Sequence, residues 1–142
     1  MAATHELSAS LEDYLETIFR LVERNRVARV KDIAAHLGVQ MPSVTGALHS
    51  LAAKGLVNYD PYSYITLTPA GERIARDLFR CHQVFTEFLT DLLGVEPETA
   101  ERNACAIEHA IEPIVLERLV EFIEQHPEAG LAQEGQHEST EQ

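Results

Sequence analysis

The sequence predicts a mainly α protein, with an N-terminal winged helix-turn-helix followed by a C-terminal helical domain. Three observations carry that expectation. Apolar residues recur at a helical period over most of the chain. A short helical pattern, a glycine-containing turn and a second helical pattern run directly into an alternating apolar–polar hairpin. Beyond the hairpin only helical patterns follow, up to a polar tail.

The elements can be justified in order. Residues 8–24, SASLEDYLETIFRLVER, read as the first helix. Ser8 or Ser10 can cap it, and acidic residues fill the first turn, where the helix dipole is positive. Leu11, Tyr14, Leu15, Ile18, Phe19, Leu21 and Val22 form its apolar stripe. Val30–Leu37 is a second, short helix ending at Gly38, a suitable residue for a left-handed cap. Pro42–Lys54 is a third, with Pro42 in its first turn and Gly55 just past its end. LVNYDPYSYITLT then alternates apolar and polar residues around the turn tetrapeptide DPYS and reads as a β-hairpin. Pro69–Leu93 is a long amphipathic helix closed by Gly94. Glu96 and Pro97 open another that runs to about Ile111, and Pro113–Gln125 is the last. The expected organisation is a winged helix-turn-helix domain over residues 1–72, a helical domain over 73–126, and a frayed polar tail over 127–142.

Composition limits the function classes. The chain has 142 residues, 45% hydrophobic and 24% charged, as expected of a packed globular protein. No apolar run approaches the roughly 20 residues of a membrane span. The N-terminus MAATHELSASLEDY lacks the basic flank and apolar core of a secretory signal. Two cysteines, Cys81 and Cys105, do not make a disulfide framework. The expected setting is the cytoplasm, with reduced thiols and no membrane partner.

The formal charge of −12 argues at first sight against nucleic acid, but its distribution reverses that inference. Residues 1–80 hold nine basic and nine acidic side chains, whereas residues 81–142 hold two basic and fourteen acidic. Within 17–59, Arg20, Arg24, Arg26, Arg29, Lys31 and Lys54 face only Glu23 and Asp32. A locally basic front is attached to an acidic back.

The front carries a DNA-binding pattern. Ile33, Ala34 and Leu37 pack the first helix of the motif, Val39 fills the turn, and Val44, Leu48 and Leu51 form the buried stripe of the second helix. Ser43, Thr45, Gly46 and His49 are left pointing outward, with Gln40 and Pro42 at the helix start. Small hydroxyl residues there suit close approach to base edges and phosphates of a DNA duplex. Arg29 and Lys31, with Lys54, flank the motif and can take phosphates. Tyr62 and Ser63, with Tyr64, form the tip of the wing, which lacks a base. The alternative is a small three-helix core serving protein interaction; the local basic balance favours DNA.

The back carries a different pattern. Glu101, Cys105, Glu108 and His109 occupy positions i, i+4, i+7 and i+8, which share one face of a helix. Singly, each has a blander reading: a small buried hydrophobe, a solvated charge, a surface imidazole. Together they are a thiolate, carboxylates and an imidazole, a borderline-soft set suited to Fe(II), Co(II), Ni(II) or Zn(II). Asp13 and Glu16 share a face of the first helix, where first-turn electrostatics is the simpler account. His82 lies on the long helix, where a surface position is the simpler account. No Gly-rich phosphate loop, nucleophile elbow or His-Glu-x-x-His occurs, so neither an enzyme nor a small organic substrate is expected.

With LEDYLETIFRLVE, ARVKDIAAHLGV…PSVTGALHSLAAKGLV, ITLTPAGERIA and CAIEH in order, the chain resembles the diphtheria-toxin-repressor superfamily of metal-dependent transcriptional repressors. That superfamily includes iron-dependent repressors and manganese-transport regulators. The resemblance spans about residues 8–125, and the length matches the short two-domain members. It implies a homodimer whose winged helix binds a palindromic operator, with dimerisation helices from about residue 73 and metal between the first helix and those helices. Cys105, Glu108 and His109 match the Cys-x-x-Glu-His motif of the iron branch. Asp13 stands where that branch has methionine and the manganese branch has aspartate. Glu16 and His82 match further ligands of the manganese branch, and His82 also an ancillary ligand of the iron branch. Glu101 falls near an ancillary histidine of the iron branch.

The chain departs from both branches. The manganese branch has glutamate where Cys105 stands. The iron branch has glutamate where Thr86 stands, and one of its members has a base-reaching glutamine where Gly46 stands. The resulting expectation is a repressor of iron-uptake genes loaded with Fe(II). Mn(II) is the second choice, and Co(II), Ni(II) or Zn(II) can substitute in vitro. The alternatives are a manganese sensor of the same family and a winged-helix regulator not controlled by metal.

Overall fold

A computed structural model of the chain describes residues 7–60 and 64–126. Its helices are α1 (Ala9–Asn25), α2 (Val30–Leu37), α3 (Met41–Ala53), α4 (Pro69–Glu87), α5 (Pro97–Ala110) and α6 (Pro113–Gln125). Two short strands, β1 (Val57–Asn58) and β2 (Thr66–Leu67), lie between α3 and α4. The mainly α class and the order of elements are those the sequence predicts. The chain divides into two compact units between Phe79 and Arg80, inside α4. The sequence-based boundary lies at 72/73, near the start of the same helix.

In the N-terminal unit, Ser8 is the residue that caps α1: its hydroxyl accepts the Leu11 N–H at 3.2 Å. Arg26 closes α1 in the left-handed region, φ 69°, and its N–H returns to the Val22 carbonyl at 2.7 Å. Leu15, Ile18, Ile33, Val44, Leu48, Leu51 and Ile65 are the largest fully buried side chains of this core. Each contributes about 1.5–3 kcal/mol by leaving water. Gly38 makes the helix-turn-helix reversal at φ 67°. Val39 does not fill the turn as expected. Its N–H returns to the Ala34 carbonyl as part of the cap, and its side chain is left 37% exposed; Leu37 packs on the core instead.

The hairpin pairs Val57 with Leu67 and Asn58 with Thr66. A bridge between Ala28 and Ile65 extends it by one more segment. α4 begins hard against the hairpin. The Thr68 hydroxyl donates to the Gly55 carbonyl at 2.7 Å and accepts the Gly71 N–H at 3.1 Å, which caps the helix. Gly71 sits so close to the chain that a Cβ there would lie 1.9 Å from the Leu56 carbonyl oxygen. Only glycine permits that crossing.

In the C-terminal unit, Cys81, Phe85, Ala104 and Leu116 form a second small core, with Val84, Ile107 and Leu119 packed against it. α4 is not α-helical to Leu93 as expected; a π-helical turn runs over Phe88–Leu92. The Thr86 hydroxyl donates to the His82 carbonyl at 2.7 Å and the Thr90 hydroxyl to the Thr86 carbonyl at 3.0 Å. Such back-bonding competes with the regular backbone ladder and favours a wider turn. No helix of the described residues is long and apolar enough to cross a membrane. The expected tail, residues 127–142, lies outside the described residues.

Candidate metal centre and DNA-facing helix

The metal-binding candidates of the C-terminal unit come from α4 and α5. Proline at its first turn starts α5 after Glu96, which sets the register that lines up Glu101, Cys105, Glu108 and His109. Ala100 and Ala104, on the same helix, are fully buried. The small alanine side chains let α5 pack closely, and Ala104 belongs to the core that also holds Cys81 of α4.

Glu108 is the centre of this cluster. Its side chain is fully enclosed, with one oxygen 3.3 Å from His82 Nδ1 and the other 3.5 Å from His109 Nε2. His82 Nε2 lies 3.8 Å from Glu101, whose side chain is 63% exposed. Cys105 is half-buried, and it, Glu108 and His109 each bring a donor atom within 4.8 Å of the others'. These positions rule out the blander readings for His82 and Glu108, which are buried rather than surface residues. A carboxylate taken from water costs several kcal/mol unless positive charge is placed beside it. Two imidazoles and a thiol at its rim form a donor set of nitrogen, oxygen and sulfur, which a divalent transition metal fits. Thr86, which stands where the iron branch has a glutamate, spends its hydroxyl on the His82 carbonyl.

Asp13 and Glu16 belong to the N-terminal unit, on α1. Glu16 is buried and pairs with Arg20 at 2.8 Å; Asp13 is half-buried. Glu12, which the sequence reading passes over, is also buried. Its position in the acidic first turn of α1 hides it, because acidic residues there have a sufficient local reason.

The DNA-facing candidates cluster at α2 and α3. Arg29, Lys31, Gln40, Pro42, Ser43, Gly46 and His49 are all exposed. Gly46 has open space where a Cβ would stand, so this face of α3 is unobstructed. Thr45 is half-buried and its hydroxyl donates to the Met41 carbonyl at 3.2 Å, a local use that competes with contact to a duplex. Tyr62 and Ser63 lie outside the described residues.

Comparison with known proteins supplies the decisive observation. Residues 6–65 match the N-terminal DNA binding domain of the iron dependent repressors, and residues 68–129 match their metal binding and dimerisation domain. The chain belongs to the iron-dependent repressor family. Its function is therefore metal-dependent transcriptional regulation, not catalysis. It is 39% identical over 119 residues to an uncharacterised HTH-type transcriptional regulator of Methanocaldococcus jannaschii, covering 83% of this chain and 95% of that one. It is 38% identical over 116 residues to the transcriptional regulator MntR of Salmonella typhimurium, covering 82% and 73%. Among solved structures, the manganese regulator SloR superposes with a TM-score of 0.72 at 31% identity, covering 80% of this chain and 53% of SloR. The chain thus spans about half the length of that solved regulator.

Proposed function

We propose that the chain is a manganese-responsive repressor that binds an operator as a homodimer when its metal centre is filled. The observation that carries this reading is the enclosed Glu108 carboxylate with His82 and His109 at its two oxygens, in a chain similar to a manganese regulator. The ligand set drawn from the sequence resemblance is Asp13, Glu16, His82, Glu101, Cys105, Glu108 and His109. Carboxylates outnumber the single thiolate in it, and hard oxygen donors suit Mn(II). Manganese therefore replaces iron as the first choice. When bound, the cation supplies positive charge that neutralises these carboxylates.

In this reading, Glu108 holds the charge of the site, and His82 and His109 flank it. Exposed Leu93, Ile114, Val115 and Phe122 of the C-terminal unit give a second copy an apolar surface to cover. A two-fold dimer presents two α3 helices to successive major-groove faces about 34 Å apart, hence a palindromic operator. The regulated genes are those for uptake of the sensed metal, and the site of action is the cytoplasm.

A second reading, Fe(II) as the signal, rests on Cys105, which lies within 4.8 Å of its neighbours' donors and brings a soft thiolate. Anaerobic titration of the full-length protein on duplex DNA with Mn(II) and with Fe(II) separates the two. A larger maximal gain in DNA affinity with saturating Mn(II) than with saturating Fe(II) is expected, since Fe(II) binds such donor sets more tightly whichever metal is the signal. The reverse order would favour iron.

A further inference from the structure

The β-hairpin has no lysine or arginine anywhere in residues 56–68 and carries Asp60 at its turn. It is poorly equipped to hold phosphates. Two aromatic contacts give it another use. Ala28 and Ile65 exchange both backbone hydrogen bonds, at 3.0 and 2.9 Å, as an antiparallel pair does. The next residues along that pair, Arg29 and Tyr64, are thereby cross-strand neighbours. The Arg29 guanidinium carbon lies 5.1 Å from the Tyr64 ring centre, and Nη2 is 3.4 Å from the phenolic oxygen. Tyr64 is 51% exposed, so its ring is a surface platform and not part of the core. Arg29 precedes α2 and makes no side-chain cap to that helix. Likewise His49, exposed on α3, meets Tyr59 edge-on at 5.3 Å and 75°.

We propose that Tyr64 and Tyr59 are positioning residues, which hold Arg29 and His49 in DNA-facing orientations before DNA arrives. A guanidinium stacked on a ring keeps its charge and most of its N–H donors but loses rotamer freedom in advance. The hairpin then contributes to binding by orienting Arg29 and His49. This inference rests on the DNA-binding reading of α2 and α3.

The test is a double-mutant cycle on the full-length, Mn(II)-loaded protein. The probe is a duplex that the wild-type protein selects from a random-sequence pool, titrated across a salt series. Arg29→Ala should weaken binding and make the salt dependence shallower by roughly 0.9 per half-site. Tyr64→Ala should weaken it roughly 2- to 12-fold per half-site, the effect of one side chain no longer pre-immobilised. Tyr64→Phe, which keeps the ring, should retain most of the affinity. In the Arg29→Ala background, Tyr64→Ala should cause no further loss. Equal losses from Tyr64→Ala in both backgrounds, or no loss from Arg29→Ala, would overturn the inference and leave the DNA-binding reading intact. Failure of the wild-type protein to select any duplex would sink both. The cycle of Tyr59→Ala with His49→Ala repeats the test independently.

Discussion

The carboxylate of Glu108 is fully enclosed and lies 3.3 Å from Nδ1 of His82, itself buried on the neighbouring helix. Helical periodicity alone puts a glutamate outside. A buried one beside two imidazoles and a cysteine offers a cation oxygen, nitrogen and sulfur donors.

Glu108→Gln removes the charge and keeps the shape. Metal affinity should fall at least tenfold, read by calorimetric titration with Mn(II). Thermal unfolding of the metal-free variant separates a metal-binding role from a structural one, since His82 and His109 lie beside the carboxylate. A metal-free variant that melts well below wild type would show that Glu108 supports the fold through an ionic pairing instead.

Cys105→Glu exchanges the thiolate for a carboxylate. The ratio of Mn(II) to Co(II) affinity should rise, and the Co(II)-loaded wild-type protein should show a thiolate-to-cobalt absorption band that the variant lacks. No change in either quantity would place Cys105 outside the coordination set and return it to the role of a small half-buried side chain.

Gly71→Ala puts a methyl group 1.9 Å from the Leu56 carbonyl oxygen, so α4 or the hairpin must shift. We expect a loss of about 2–4 kcal/mol, read from denaturant unfolding, in the range of forced overpacking or above it. Gly46→Ala is the matched control. It meets open space within a helix and should be neutral or gain up to about 1 kcal/mol.

The legible and illegible parts of this fold separate by range. The bounds of α2 are readable because Gly38 ends it in the conformation glycine favours. The stripe Glu101–His109 is readable because helical spacing is local. The bridge from Ala28 to Ile65 is not, since no local pattern links those residues, and with it the Arg29–Tyr64 contact stays hidden. The π-helical turn at Phe88–Leu92 is hidden for another reason: threonine back-bonding leaves the apolar periodicity of α4 intact. The burial of His82 depends on α4 packing against another helix, a tertiary fact. Preference for one metal over another is least legible, because a single cysteine and several carboxylates pull in opposite directions.

Metal control of DNA binding tests the account most directly. Fluorescence anisotropy of the full-length protein on its selected duplex, at fixed salt, would be measured with Mn(II) and again with excess chelator. The account predicts roughly 5- to 150-fold tighter binding with metal, the range of a coupling of ~1–3 kcal/mol. Equal affinity in the two conditions would contradict it, and would leave a winged-helix regulator whose cluster around Glu108 plays no part in the switch.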